Sequence, residues 1–243
     1  VIALAGGTAE VSVNGTARGA YCQIAVAAGD VIEIGPVTAG CRVYLAAACG
    51  FAARAVFGSL STYAPGGFGG FEGRMLRDGD SLPGGDGGSP PRRHLPPEYI
   101  PHADNAIVLR AVAGPEAGLL DEPSRTALFT ERFRASSRAS RQGVELDQPV
   151  LSLREAAQMK SAAAFPGTLQ GPPSGKPYLL LADAQTTGGY PRLAQVIRAD
   201  RHLLGQVRPG GTVRFMEVTP DAAAQILREK NALYADLLDG EVF

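Results

Sequence analysis

The pattern of apolar and polar residues predicts short strands from residue 1 to about residue 82. Residues 11–13 alternate before an Asn14-Gly15 pair, which is a hairpin turn signal, and residues 31–35 alternate after Gly29-Asp30. Residues 42–46 are a further strand candidate. Because no stretch here keeps a helical repeat with capping residues, we predict a β module over residues 1–82.

Residues 100–243 combine strands with a few helices. The predicted strands are 106–113, 179–182 and 213–218, and the predicted helices are 116–122, 124–132, 191–206 and a terminal helix. Pro191 at a first turn supports the third of these helices, and Thr219 is the expected N-cap of the terminal one. The apolar stripe of the terminal helix comprises Ala223, Ile226, Leu227, Tyr234, Leu237 and Leu238.

Between these parts, residues 83–99 are rich in Gly and Pro and poor in apolar residues, which is typical of a linker or long surface loop. We therefore predict three segments: a β module over 1–82, a linker over 83–99 and a C-terminal module over 100–243. The fold class is mainly β with a few helices. The chain begins in a predicted strand at Val1, and we expect further residues upstream.

Composition narrows the classes of function. Apolar residues make up 45% of the 243 residues, enough for a packed core. The 23 Lys and Arg residues nearly balance the 24 Asp and Glu residues, whereas nucleic-acid binders usually carry a positive excess. Apolar runs are far shorter than the roughly 20 residues of a membrane span. We expect no nucleic acid and no membrane among the partners.

Three cysteines, an odd number, and three scattered histidines indicate neither a metal site nor a disulfide framework. A reducing compartment follows from this pattern, and we expect the cytoplasm. These residues are Cys22, Cys41, Cys49, His94, His102 and His202.

The richest candidate chemistry lies in residues 176–191, KPYLLLADAQTTGGYP. A buried strand is predicted to deliver polar side chains into a loop where glycines let backbone amides approach a ligand closely. The residues concerned are Asp183, Gln185, Thr186, Thr187, Gly188 and Gly189. From spacing alone, a simple Gly-Gly turn in which Asp183 caps local amides is the favoured alternative. The loop lacks the GxxxxGK[ST] sequence of a phosphate-binding P-loop.

Asp200 falls inside an apolar stripe of the predicted 191–206 helix, with Leu193, Ile197 and Leu204. A buried carboxylate needs a partner such as an arginine, so a structural tether is favoured over a pocket acid. Arg141 is a candidate for binding a carboxylate or phosphate, although most such arginines are solvated or paired structurally.

With these residues in place, the chain resembles the family that comprises the second subunit of allophanate hydrolase, the C-type component of 5-oxoprolinase and the Kip antagonist protein. It is also similar to the second half of the carboxyltransferase region of urea carboxylases. The strongest match is 179–215, LLLADAQTTGGYPRLAQVIRADRHLLGQVRPGGTVRF, with further matches at 58–62, 66–73, 79–80, 140–143 and 166–170.

The resemblance implies a fold of cyclophilin-like β-barrel modules and a subunit of an ATP-dependent 5-oxoprolinase, which opens 5-oxoproline to glutamate. It implies a subunit 1 (Kip inhibitor-like) partner and a third, 5-oxoprolinase A-type subunit, with ATP used by the complex and not clearly bound by this chain.

The residues that the resemblance places at the site are first the catalytic candidates Asp183, Tyr190 and Arg141. The substrate-binding candidates are Gln170, Gln185, Thr186, Thr187, Gly188, Gly189, Ser161, Asp200 and Gln206. No metal is implied. The chain departs from the family pattern at Leu60, Glu145 and Ala162, and the family's N-terminal segment is absent from the sequence. If these three positions touch an anionic substrate, we expect the departures to affect substrate identity or even activity.

Two other functions share the same resemblance. One is carboxyl transfer from biotin to urea. Biotin would then be supplied by another chain, because no Met-Lys-Met motif is present. The other is a non-enzymatic regulator that binds an inhibitor of a sensor kinase. The sequence leaves all three functions open.

Overall fold

The structure, a computed structural model, describes residues 1–88, 90, 95–102, 104–154 and 159–235. The chain forms two compact units: the first covers Val1–Val37 and Val43–Pro101, and the second covers Thr38–Arg42 and the described residues from 102 onward. The predicted linker, residues 83–99, falls within the first unit. His94 and part of this segment lie outside the described residues.

The first unit is built from short strands, as predicted. They are β1 (Ile2–Thr8), β2 (Val11–Val13), β3 (Thr16–Arg18), β4 (Gln23–Ile24), β5 (Ile32–Ile34) and, from Val43 onward, β6 (Ala39–Ala47). They form two three-stranded sheets, in the orders β4-β1-β6 and β3-β2-β5. The predicted hairpin turn joins β2 to β3, with φ of 52° at Asn14 and 73° at Gly15, a conformation that these two residues adopt readily.

The chain from 48 to 101 contains only 3₁₀ turns and isolated bridges among its described residues. Its main polar anchor is Arg74, whose guanidinium donates to both carboxylate oxygens of Asp80 at 2.7 and 2.9 Å. These hydrogen bonds lower the pKa of Asp80 to about 2. Glycine is required at position 73, since φ is 67° there and a Cβ would clash with the Gly67 backbone.

Besides the first four residues of β6, the described residues of the second unit contain nine strands and three helices. The strands are β7 (Ala106–Ala113), β8 (Arg132–Ala139), β9 (Gly143–Leu146), β10 (Ala162–Ala163), β11 (Thr168–Gln170), β12 (Tyr178–Leu180), β13 (Thr187–Gly188), β14 (Arg192–Val196) and β15 (Thr212–Glu217). The helices are α1 (Glu122–Thr130), α2 (Arg201–Leu204) and α3 (Pro220–Ala235). The mainly β prediction is confirmed.

Seven of these strands close into a barrel in the order β11-β12-β9-β8-β15-β7-β14. All neighbouring pairs are antiparallel except β7 and β15. Leucines and an edge-to-face pair of Phe133 and Phe215, with ring centroids 5.6 Å apart, fill the interior. The remaining two strands, β10 and β13, pair with each other outside the barrel.

One predicted helix, 191–206, is wrong over most of its length. Residues 192–196 form β14, a 3₁₀ turn follows at Arg198–Asp200, and only Arg201–Leu204 are α-helical. Strand pairing determines the structure here rather than the local helix signal of Pro191, because β14 forms hydrogen bonds with both β7 and β11 and thereby closes the barrel.

The other predicted elements of this unit are present. A 3₁₀ turn at Ala117–Leu119 precedes α1, and α3 begins after Thr219, whose Oγ1 accepts from the Ala222 N–H at 3.2 Å. The stripe of α3 is half-buried up to Tyr234, and Leu237 and Leu238 lie outside the described residues.

Candidate functional site

The loop that follows β12 is held at one end of the barrel by backbone hydrogen bonds. Leu181 N–H donates to the Gln142 carbonyl and Asp183 N–H donates to the Arg141 carbonyl, both at 2.9 Å. These bonds extend the β9–β12 ladder beyond Gly143. As a result, two segments about 40 residues apart in the chain present their side chains next to each other.

Arg141 and Asp183 form a bidentate ion pair at this position. Arg141 Nε lies 2.5 Å from Asp183 Oδ2, and Nη2 lies 2.9 Å from Oδ1. The Asp183 side chain is 17% exposed and that of Arg141 is 57% exposed. The carboxylate therefore fixes the plane of a guanidinium that still faces solvent, an arrangement suited to binding an anionic group.

Gln170 of β11 meets Gln185 of this loop and Gly188 of β13. Gln170 is 2% exposed at the end of β11, and its Oε1 accepts from Gln185 Nε2 at 3.2 Å. Gly188 covers the Gln170 amide so closely that a Cβ at position 188 would lie 2.6 Å from Gln170 Nε2. The structure thus brings together three of the predicted substrate-binding residues.

Strands β10 and β13 form a small flap over Gln170, with Ala162 opposite Gly188 and Ala163 opposite Thr187. Thr186 contributes only its carbonyl among the described contacts, which accepts from Ala164 N–H at 2.9 Å. The other predicted site residues around the flap are placed on the surface or at its edge: Ser161, Thr187, Gly189 and Tyr190. Tyr190 is 49% exposed.

Arg192 and Glu116 support the flap and were not predicted. Glu116 accepts from the Arg192 backbone N–H at 3.0 Å and from its guanidinium at 2.9 and 2.7 Å. Arg192 Nη1 also donates to the Ala163 carbonyl in β10 at 3.1 Å. Arg192 stands in the GGYPR segment, but nothing in the sequence links it to a carboxylate 76 residues away.

This pair makes stability depend on pH in a defined direction. The hydrogen bonds from Arg192 lower the pKa of Glu116 below its ordinary value of 4.5. A depressed folded-state pKa contributes stability above 4.5 that is lost as the pH falls below it. We expect Glu116→Gln to lower the free energy of unfolding by about 1–3 kcal/mol at pH 7, and the gap to close below pH 4.5. Urea denaturation of both proteins between about pH 3 and 7 measures this. A constant gap would contradict it.

Two predicted substrate-binding residues lie away from the loop with their polar atoms already bonded to protein. Asp200 accepts from Arg110 at its backbone N–H and Nε, both at 2.9 Å, and at Nη2 at 2.5 Å. The arginine partner expected for a buried carboxylate is therefore present, although the helical face that suggested it is not.

Gln206 is the second of these residues. Its Oε1 accepts from the Cys41 and Arg42 N–H groups at 2.9 and 3.1 Å, and its Nε2 donates to the Arg42 carbonyl at 3.0 Å. The structure places both Asp200 and Gln206 in structural contacts and does not bring them to the candidate site.

The three departures from the family pattern have different surroundings. Glu145 lies 3.7 Å from Arg138 and 3.9 Å from Lys176, so cations of this chain offset its charge. Ala162 is part of the flap. Leu60 lies in the first unit and is 56% exposed. Only Ala162 belongs to the candidate site.

A surface cleft of about 570 Å³ lies in the first unit, lined by residues of β2, β3 and β5 that include Ser12, Arg18 and Glu33. No predicted site residue lines it. Within the described ranges, no cluster of three or more His, Cys, Asp or Glu is arranged to hold a metal ion. No helix in the described part of the chain has both the length and the apolar character to cross a membrane.

Comparison with known proteins assigns the chain to a family. A family model described as carboxyltransferase domain, subdomain A and B, matches residues 1–217. The chain is 32% identical over 235 residues to the C-type component of 5-oxoprolinase from Escherichia coli K12, covering 97% of this chain and 75% of the relative. Identity with the corresponding 5-oxoprolinase component of Haemophilus influenzae is 36% over 217 residues, covering 89% and 69%.

The crystal structure of Kluyveromyces lactis urea carboxylase superposes with a TM-score of 0.87 at 26% identity, covering 99% of this chain and 23% of that one. The fold and the family resemblance expected from the sequence are thereby confirmed. The chain belongs to the family of the carboxyltransferase domain, subdomains A and B.

Proposed function

We propose that this chain is the C-type component of a cytoplasmic, ATP-dependent 5-oxoprolinase-type amidohydrolase that opens 5-oxoproline to glutamate. The observation that carries the proposal is the similarity to the corresponding 5-oxoprolinase component of E. coli over 97% of this chain. The comparison includes the loop and the flap of the candidate site, which span residues 160–192 of a chain aligned almost throughout.

The candidate site suits a small cyclic amide that carries a carboxylate. In the net reaction, water adds to the lactam carbonyl carbon, the ring C–N bond breaks, and the nitrogen becomes the amino group of glutamate. In this proposal Arg141, held by Asp183, binds the substrate carboxylate, because a fixed guanidinium matches that group. Thr187 in the flap and Tyr190 beside it donate hydrogen bonds, and Gln170 lines the inner wall.

The reaction requires other subunits in this proposal. The chain has no GxxxxGK[ST] sequence, so we assign ATP binding to another subunit, of the 5-oxoprolinase A type. A subunit 1 (Kip inhibitor-like) protein would be the second partner. Asp183 acts here as a positioning residue, since both of its carboxylate oxygens bond to Arg141.

Carboxyl transfer to urea is a second candidate. The TM-score of 0.87 with the Kluyveromyces lactis urea carboxylase supports it. In this case biotin would be supplied by another chain, and the complex would be indifferent to 5-oxoproline. Urea-dependent consumption of carboxylated biotin carrier distinguishes this candidate from the first.

The deciding experiment measures 5-oxoproline-dependent ATP hydrolysis by the proteins encoded beside this chain, purified together with and without it. We expect turnover with the full set and its loss when this chain is omitted. Equal turnover in both preparations would overturn the proposal. A complete set that hydrolyses no ATP with 5-oxoproline would also overturn it, and the urea assay and binding to an inhibitor of a sensor kinase would then be tested.

A further inference from the structure

The amide nitrogen of Gln170 is buried without a hydrogen-bond partner. Among the described residues, it is the single side-chain nitrogen or oxygen atom in this condition. The other end of the same amide, Oε1, is bonded to Gln185. Because a buried N–H that has lost water is costly unless it finds an acceptor, an unpaired one points to a role beyond holding the fold together.

Gly188 covers this nitrogen, and space explains the glycine better than backbone conformation does. The φ of Gly188 lies outside the left-handed region that favours glycine. A Cβ at position 188, however, would lie 2.6 Å from Gln170 Nε2. The residue at 188 must therefore lack a side chain for the Gln170 amide to keep its place.

The cover is held by few bonds. The β10–β13 ladder is two residues long, with one further backbone bond from Ala164 N–H to the Thr186 carbonyl and one bond from Arg192 to the Ala163 carbonyl. Ala163 and Thr187 are exposed. Short, exposed ladders of this kind open locally at a small fraction of the free energy of global unfolding. The barrel strand that carries Gln170 is by contrast buried at every residue, 168–170. The amide is fixed while its cover can move.

We infer that Gln170 is a specificity-determining residue: when the β10–β13 flap moves, its Nε2 donates a hydrogen bond to the carbonyl oxygen of a neutral amide or ureido group of the substrate. A neutral N–H in a buried position suits a neutral carbonyl acceptor, whereas the exposed guanidinium of Arg141 suits an anion. The inference rests on the proposed function only for the choice of the lactam probe.

Gln170→Leu separates this role from a structural one. Leucine fills a similar volume and removes the unpaired N–H, and Gln185 is exposed and can turn to water. We expect the melting temperature of the chain to stay unchanged or rise, while kcat/KM of the complex for 5-oxoproline falls about 10- to 100-fold. Gln206→Leu serves as the destabilised comparison. It removes the acceptor of the Cys41 and Arg42 N–H groups and the donor to the Arg42 carbonyl, so it should lower the melting temperature by at least about 3 °C.

Gly188→Ala is an independent test that leaves Gln170 in the chain. The added methyl group displaces the Gln170 amide, so kcat/KM should fall about 10-fold or more with the melting temperature nearly unchanged. Gly118→Ala is the matched control, because a Cβ at position 118 meets nothing within 4 Å. It should retain wild-type kcat/KM.

The assay is run in two arms, one with 5-oxoproline and one with urea as the substrate. The arm in which the wild-type complex is active identifies the substrate whose carbonyl group Gln170 binds. Wild-type activity in one arm that persists in both Gln170→Leu and Gly188→Ala would overturn the inference and leave the proposed function intact. A Gln170→Leu chain that melts as low as Gln206→Leu would also overturn it. Activity with urea alone would overturn the proposed function while leaving Gln170 testable in that arm.

Discussion

Asp200→Ala is expected to lower the free energy of unfolding by about 3–5 kcal/mol at pH 7. The side chain of Asp200 is 3% exposed and that of its partner Arg110 is 33% exposed. Removing the carboxylate leaves the guanidinium largely buried without a counter-charge, and it leaves the Arg110 backbone N–H without its acceptor. Urea denaturation followed by far-UV circular dichroism measures the loss.

A second prediction concerns replacement of both Arg110 and Asp200. Substituting both partners by apolar residues, Arg110→Met with Asp200→Leu, should recover most of the lost stability, because the cost lies mainly in the charge left alone. Glu217→Ala, an exposed carboxylate on β15, serves as the control and should stay within about 0.5 kcal/mol of wild type. A loss below about 1 kcal/mol for Asp200→Ala would show that Arg110 finds other partners.

The strands that were predicted correctly are those in which burial alternates or is continuous along the chain. In β7, Ile107, Leu109 and Ala111 point into the barrel, and in β15, Val213 and Phe215 do so. When only one face of a strand is buried, apolar residues occur at every second position, and this alternation is visible in the sequence. The Asn14-Gly15 turn was predicted because its backbone requires positive φ at both residues.

The segment 191–206 was misjudged because its short strand, 3₁₀ turn and single helical turn place apolar residues at near-helical spacing by coincidence. Leu193, Ile197 and Leu204 are all buried, but they belong to three successive parts of the chain. What makes residues 192–196 a strand is the gap between β7 and β11, which a local pattern does not contain.

The candidate site also has parts that the sequence predicted and parts that it did not. The loop itself was found from local signals, a buried strand followed by polar residues and glycines. The ion pair that supports its flap was not found, because Glu116 and Arg192 are 76 residues apart in the chain. Folding brings such residues together through barrel closure, and no spacing in the sequence encodes it.

Asp183→Asn is expected to reduce 5-oxoproline-dependent ATP hydrolysis by the assembled complex about 100-fold or more, provided that Arg141 binds the substrate carboxylate. Asparagine keeps the size of the side chain but loses the charge that holds the guanidinium in one plane. Because Arg141 is more than half exposed, the pair contributes little to stability, and the melting temperature should change by no more than about 3 °C. Steady-state kinetics and thermal melting of the same preparation test both statements.

Exchanging the two residues of the ion pair tests whether activity requires the arginine at position 141 or only an ion pair between the two positions. Arg141→Asp combined with Asp183→Arg can rebuild an ion pair but moves the guanidinium to the other side of the ladder. We expect the exchanged protein to fold and to remain inactive, because the substrate carboxylate needs its positive charge at position 141. Glu122→Gln is the matched control, since it removes an exposed ion pair with Arg154 at 3.8 Å on α1, and it should leave turnover unchanged. Wild-type turnover in the exchanged protein would show that the pair serves only to hold the loop.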